Sequence, residues 1–526
     1  MAFVIDTVSC IGCHACSTAC KSEHQVPLGV HRTWVKSVEV GRYPDVRRVF
    51  QVTRCNHCSN PPCVRICPTA AMHQRDDGIV DFAGDACIGC KACIQACPYD
   101  AIHIDPESHT AAKCNFCAHR VDIGLEPACV VVCPEHAILA GDLSDPDSEV
   151  SRALGKHAVT VRKPEQGTAP KLFYVQAHDA AVHPTARRSD SGFAFSDAAH
   201  HRVPGLPDTS GGRGPQPQGA PVGGPILIGG REAGAIRVAW NAQHEVHWHW
   251  PIPAYLVTKG AAAGMWGILA VAALIPGLGF PPAAGALGGI LAFALTLATL
   301  GLLIYDLDRP DRFFYLMIRP QWRSWVARAA WILAGFSTLT AAWTGLEIAA
   351  WQGWFDPGDA VRAVLAVATL PFAVLAATYT AFLFAQAEGR DLWQAAHLPV
   401  VMATQAVLLG AATLLGLAAL DGSADVGPFV RPVLGLAAAT GLVVTLAGDL
   451  GVAPASEIAR RTLRELVSGS FRTPYRLGLL LAYVAPLGLL ALAHPLADLA
   501  LLPVAAVGVF LWSYALVMAP QTVQNS

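Results

Sequence analysis

Sixteen cysteines carry the chemistry this chain could do, and all of them fall between Cys10 and Cys133. They form four groups. The first is Cys10-x2-Cys13-x2-Cys16-x3-Cys20 and the second is Cys55-x2-Cys58-x4-Cys63-x3-Cys67-Pro68. The third is Cys87-x2-Cys90-x2-Cys93-x3-Cys97-Pro98 and the fourth is Cys114-x2-Cys117-x11-Cys129-x3-Cys133-Pro134. Three thiolates in a tight loop can wrap one corner of a cubane. A fourth, beyond a proline-terminated turn, points the other way to a second cluster. Two groups then serve two clusters reciprocally, and 16 thiolates at four per cluster make four [4Fe–4S] clusters with none left over. Zinc knuckles use separated pairs of cysteines and fit these triplets poorly. A disulfide scaffold belongs to a short secreted chain, and the opening MAFVIDTVSC has no charged region, long apolar core or twin arginine, so no export signal is expected. Several clusters in a row imply electron transfer, with a purely structural role as the bland alternative.

The elements that hold these groups occupy only the first third of the chain. With 526 residues, 53% hydrophobic and 14% charged, the sequence is too long for one ordinary domain and implies a membrane portion. A net charge of −2 without a basic run speaks against nucleic acid as a partner. Residues 178–239 are rich in Gly, Pro, Ser and His, as in TSGGRGPQPQGAPVGGP (209–225), and read as a linker or docking arm. Eight apolar runs follow, at 254–275, 284–304, 328–350, 363–385, 398–420, 432–453, 477–493 and 496–518. The seventh is short, and with the eighth around His494-Pro495 it could instead form one re-entrant hairpin.

Arginines crowd the helix ends on the side of the Cys-rich region: Arg309, Arg312, Arg319, Arg323, Arg328, Arg390, Arg460, Arg461, Arg464, Arg472 and Arg476. The other side has Arg362 and Arg431. This bias predicts that the Cys-rich domain is cytoplasmic, on a bacterial inner (plasma) membrane. The competing use of these arginines is to dock the Cys-rich domain or an anionic headgroup.

Groups one and three repeat the bacterial ferredoxin spacing. The stretch RCNHCSNPPCVRICPTAAMHQRDDGIVDFAGDACIGCKACIQACPYDAI (54–102) resembles the electron-transfer subunit of dimethyl sulfoxide reductase-type molybdoenzymes, and all of 1–177 fits that four-cluster pattern. The resemblance implies a pairing of group one with four and two with three. One cluster would take Cys10, Cys13, Cys16 and Cys133, and another Cys20, Cys114, Cys117 and Cys129. A third would take Cys55, Cys58, Cys63 and Cys97, and the last Cys67, Cys87, Cys90 and Cys93. Residues 240–526 resemble the NrfD/polysulfide reductase-type membrane anchor through HWHWPIPAYLVTKGAAAGMWG (247–267) and YDLDRPDRFFYLMIRPQWRSWVARAAWIL (305–333). In that family the anchor is normally a separate chain, so fusion is the main departure. The fold expected is an α+β ferredoxin-like double-dicluster domain over 1–177, the arm over 178–239, and an all-α membrane bundle of about eight transmembrane helices over 240–526.

Anchors of this family bind quinone near the face that meets the cluster subunit. On that side the sequence offers His247, His249, Lys259, Asp306, Arg309 and Tyr379 as cofactor-binding candidates. A quinone carbonyl needs a donor such as His or Tyr, and its reduction needs groups able to pass protons. Bland uses weigh about as much: Lys259 snorkelling, Tyr379 and the histidines in an interfacial aromatic belt, Arg309 and Arg312 capping with Asp306, Asp308 and Asp311. Glu347 and Asp449 lie near helix ends, where interfacial exposure is favoured over a proton path. No nucleophile triad, nucleotide loop or molybdopterin site is present in the sequence, so no catalytic residue is assigned. The resemblance implies a relay between menaquinone or ubiquinone and a separate molybdopterin-containing catalytic subunit of the dimethyl sulfoxide reductase, polysulfide reductase or sulfite dehydrogenase type. Two alternatives stand beside it. One is an iron–sulfur subunit for a hydrogenase, formate dehydrogenase or nitrite reductase. The other is a membrane-tethered ferredoxin without quinone.

Overall fold

Alternating apolar residues at the start of the chain make a strand, Ala2–Asp6, whose pairing decides which cysteines meet. It runs antiparallel to Ile138–Gly141 and parallel to Leu172–Val175, which in turn pairs with Val159–Thr160. Phe3 and Ile5 face the cysteine-lined core, while Ala2 and Val4 pack with Val150 and Val175 on the other side. The first cysteine group directly follows this strand and the fourth directly precedes its antiparallel neighbour, so the chain's first and last groups are brought together. The structure, a computed structural model, describes residues 1–42, 44–183, 236–242, 245–275, 282–421 and 427–525.

Groups two and three are each followed by a short hairpin, Met72–Gln74 with Val80–Phe82 and Ile102–Ile104 with Ala111–Lys113. The loops of groups one and three also share backbone: Gly12 and His14 in one, and Gly89 and Lys91 in the other, all adopt positive φ. A long hairpin, Thr33–Arg42 with Asp45–Arg54, gains a third strand from Ile236–Trp240. Most of the expected arm, 184–235, lies outside the described residues. Its described end, Ile236–Trp240, is a strand of the Cys-rich half, held there also by Trp34 Nε1 donating to Asn241 at 2.9 Å.

Among the described residues, eight long apolar helices build the membrane half: α1 (Pro251–Leu274), α2 (Pro282–Tyr305), α3 (Trp325–Trp351), α4 (Gly358–Gln386), α5 (Leu398–Asp421), α6 (Gly427–Gly451), α7 (Arg472–Ala491) and α8 (Pro495–Thr522). All are long and apolar enough to cross a membrane. α7 is a helical span of 20 residues, long and apolar enough to cross a membrane by itself. It contains a π-helical turn at Leu480–Val484, and α8 follows after a turn at His494. Small residues let helices touch in a medium that offers no hydrophobic drive between them. A Cβ on Gly264 would run into the Ala406 carbonyl oxygen, which fixes α1 against α5.

The two halves meet through a dense contact. Gly89, with φ near 67°, lies where a Cβ would come within 2.8 Å of Asp308, and one on Gly389 would come within 2.5 Å of the Cys97 carbonyl oxygen. Ser324 caps α3 and donates to the Ile66 carbonyl, and Gln321 N donates to the Pro68 carbonyl at 2.8 Å. Several of the arginines read as topology signals serve this contact. Arg312 donates to the carbonyls of Gly84 and Cys87, Arg309 to that of Ser108, and Arg390 to the Gln95 side chain.

Candidate functional site

The four cysteine groups come together in four sets. Burial raises the Cys10 thiol, and Cys133 and Cys13 lie near enough to raise it further. Cys20 is raised by burial and then by Cys114, Cys129 and Cys117. Burial pushes Cys58 up to about 12, with Cys55 and Cys97 beside it, and the same two flank Cys63. Cys67, Cys87, Cys90 and Cys93 line one small apolar cavity. That cradle of four sulfurs, closed by Pro68, Met72, Phe82 and Ile88, fits a cubane cluster. Backbone amides point at the sulfurs as well: Met72 N to Cys67 at 3.3 Å and Ala137 N to Cys133 at 3.3 Å.

Neighbouring sets lie near one another in a definite order. Cys16 of the first lies in the field of Cys129, Cys114 in that of Cys55, and Cys93 in that of Cys63. The sets therefore form a row. One end is open: Cys13 is exposed, and Val8 and Ile11 beside it are 68% and 55% exposed. The other end, at Cys67, Cys87, Cys90 and Cys93, lies on the membrane half.

At that inner end Trp248 Nε1 donates to the Cys90 carbonyl at 3.1 Å, and its ring stacks on Trp393 at 5.5 Å. Gln521, near the end of α8, accepts from the amides of His247 and Trp248, donates to the Trp248 carbonyl, and accepts from Gln95. Lys91, inside the third cysteine loop, donates to the Asp306 carbonyl at 2.6 Å and pairs with Asp308 at 3.2 Å. Burial raises Asp306 to about 7, with Lys91 opposing and Asp308 adding to the rise.

The six cofactor-binding candidates divide into two places. Lys259 and Tyr379 meet inside the bundle. Lys259 is 3% exposed, so it does not snorkel to water; its Nζ donates to Thr380 Oγ1 at 2.5 Å and lies 4.2 Å from the Tyr379 ring centre. Tyr255 completes the group, donating to Thr380 at 3.4 Å. The Tyr379 hydroxyl is buried and meets no hydrogen-bonding partner among the described residues. That orphaned donor fits a quinone carbonyl, so the residues present suit the group. The other candidates sit at the contact between halves. His249 keeps an exposed surface, and it is lowered first by partial burial and then by Lys91, in the field also of Glu245 and Asp308. Arg309 is engaged by Asp311 at 2.9 Å and by the Ser108 carbonyl, as a cap and a docking contact. The sequence reading missed Trp248, Lys91, Thr380 and Gln521. Trp248 was legible only as part of an aromatic belt, and Lys91 gave no sign beyond its place in a cysteine loop.

Two polar residues read as exposed at helix ends are buried instead. Glu347 pairs with Arg362 at 2.7 Å, and Asp449 accepts from Tyr475 at 2.9 Å and faces His397 Nε2 at 3.1 Å. Each has a partner from a neighbouring segment, which lets a carboxylate stay out of water.

A Cys-rich ferredoxin-like domain joined to eight apolar helices defines a multi-pass membrane electron-transfer protein. Residues 239–524, more than half of the chain, match the family model "Polysulphide reductase, NrfD", and residues 46–143 match "4Fe-4S dicluster domain". The chain belongs to the NrfD polysulphide reductase family and carries the iron–sulfur subunit of such systems in the same polypeptide. Its relatives include a tetrathionate reductase subunit from Salmonella typhimurium, 46% identical over 192 residues, which are 36% of this chain and 77% of the relative. The arsenate respiratory reductase iron-sulfur subunit ArrB of Shewanella sp. is 36% identical over 34% of this chain and 96% of its own length. Protein NrfC of Escherichia coli is 44% identical over 33% of this chain and 78% of its own length.

Proposed function

We propose that the chain relays electrons between a membrane quinone, menaquinone or ubiquinone, and a separate molybdopterin-containing catalytic subunit. The wire is four [4Fe–4S] clusters held by all sixteen cysteines, group one paired with four and two with three. The row of four thiol sets, open at one end and seated on the membrane helices at the other, carries this reading. Bound clusters supply one-electron steps and quinone supplies a two-electron, two-proton exchange. The residues divide the remaining work. Tyr379 offers a hydroxyl to a carbonyl oxygen, Lys259 stands beside it as a second donor, and Asp306 and His249 take or give protons where the bundle meets the inner thiol set. The α1–α4 packing keeps water from Lys259. At the open end, Val8, Ile11, Val131 and Val132 offer an exposed apolar face for the catalytic subunit.

In domain terms the reading is a cluster domain over 1–177, an arm over 178–239 and an anchor over 240–526. The arginine bias favours a cytoplasmic cluster domain on a bacterial inner membrane. Arg309, Arg312 and Arg390 are withdrawn from that count by their docking role, while Arg460, Arg461, Arg464, Arg472 and Arg476 still support it. A reporter active only outside the cytoplasm, inserted after Gly353 between α3 and α4, should be active; activity of the same reporter at the C-terminus instead would reverse the orientation. The relay itself is tested in anaerobic membranes by adding quinol and following the clusters. Their reduction is expected, and its absence with quinol in excess would leave a tethered ferredoxin.

A further inference from the structure

Arg54 closes the strand Asp45–Arg54 and precedes Cys55, yet its guanidinium reaches a cysteine of another set. Its Nη1 donates to Cys129 Sγ at 2.9 Å, and its charge acts on Cys20, Cys114, Cys117 and Cys16. The guanidinium lies 4.6 Å from the centre of the Phe3 ring. The residue is fully buried, and Nε and Nη2 meet no hydrogen-bonding partner among the described residues. Among those residues no carboxylate pairs with it. A permanent charge placed so is costly unless an anion answers it. The groups that answer its charge are sulfurs, those of Cys129, Cys114 and Cys16, and whatever those thiols hold. A guanidinium presents five donors in a planar fork, more than Cys129 alone can use.

We propose that Arg54 is a positioning residue that sets a reduction potential: its N–H groups bond thiolate and bridging sulfide of the cluster on Cys20, Cys114, Cys117 and Cys129, and its charge raises that cluster's potential. This rests on the four-cluster reading. Reduction of a bound cluster would add one electron at iron and neither make nor break a bond, so the cluster as a whole would carry one more negative charge, spread in part over its sulfurs. A fixed cation at hydrogen-bonding distance stabilises that state more than the oxidised one. His24 adds a second contact from the other side, with Nε2 3.1 Å from Cys117 Sγ.

The test is a redox titration followed by electron paramagnetic resonance on the intact chain and its Arg54→Met and Arg54→Lys variants, with iron and sulfide counted in each. In iron-replete R54M the centre on Cys20, Cys114, Cys117 and Cys129 should fall most in potential, the centre that includes Cys16 should fall less, and the two nearer the membrane should not move; R54K, which keeps the charge but loses the fork, should recover part of the shift. Four unmoved centres in iron-replete R54M would overturn the proposal. If R54M loses iron, the unaltered protein decides. Grown with arginine labelled with nitrogen-15 in the guanidinium, it should show nitrogen coupling on one reduced centre, and no such coupling would overturn it. A shortage of iron or sulfide in the unaltered protein would instead sink the four-cluster reading beneath it.

Discussion

Trp248 Nε1 and the Cys90 carbonyl oxygen lie 3.1 Å apart across the boundary between the membrane bundle and the Cys-rich domain. The tryptophan just before α1 is thus bonded to the backbone of a thiol that lines the innermost set. Its ring packs against Phe384 and Trp393, so the bond holds the two halves at a fixed separation. Tunnelling between a quinone and a cluster depends on that separation.

Trp248→Phe keeps the stacking and loses one hydrogen bond, which should cost about 1 kcal/mol. Trp248→Ala loses the stacked ring as well and should cost about 3–5 kcal/mol. Thermal unfolding of the detergent-solubilised protein, with release of the Cys-rich half to protease as a second readout, checks the order. Equal effects of the two changes would show that the ring adds nothing to what the N–H does for docking.

Gly389→Val places side-chain atoms against the carbonyl oxygens of Gln95 and Cys97, which a Cβ alone would approach to 2.6 and 2.5 Å. Both obstacles are backbone, so the halves must separate. Quinol should then fail to reduce the clusters, while dithionite still reduces all of them. Unchanged quinol-driven reduction would remove this contact from the path.

Asp306 lies outside the membrane helices, and its burial holds it at about 7. As a proton acceptor it acts when ionised, so quinol oxidation should rise with pH through about 7, and Asp306→Asn should flatten that rise. The stability consequence has the opposite slope. A carboxyl raised by folding stabilises the folded state at acid pH, and this contribution fades as pH climbs from the ordinary carboxylate range through about 7. A pH–rate profile for D306N identical to that of the native chain would assign the proton elsewhere.

Tyr379→Phe removes the orphaned hydroxyl, and Lys259→Met removes the buried amine beside it. Quinol oxidation should fall roughly 10-fold or more in each, the loss of a hydrogen bond to a buried polar atom being about 1–3 kcal/mol. Neither should lower stability, since neither leaves a charged partner behind. Native rates in both would remove this quinone site and leave the cluster row intact.

Much of this was legible in the residues. Cysteine spacing announced four thiol groups because each loop is local in sequence, whereas which groups share a set came only from the resemblance; helix lengths followed from apolar runs. What was not legible depended on long-range contact. Lys259 and Tyr379 were both marked, yet their meeting requires α1 to pack on α4, which no periodicity reports. The histidines drew attention by type, while the buried residue between them, Trp248, makes the bond. Arg309 and Arg312 were open to three readings, as topology signals, caps or docking contacts, and only their acceptors in the Cys-rich half decide for docking. Asp449 looked interfacial because its partners His397 and Tyr475 are distant in sequence.

The most direct measurement is of iron, acid-labile sulfide and zinc in protein purified anaerobically from membranes, joined to the spectrum that appears on adding quinol. About sixteen irons and as many sulfides per chain, negligible zinc, and reduced cubane signals raised by quinol are predicted. Zinc in stoichiometric amount, far fewer irons, or clusters that only dithionite can reduce would contradict the relay.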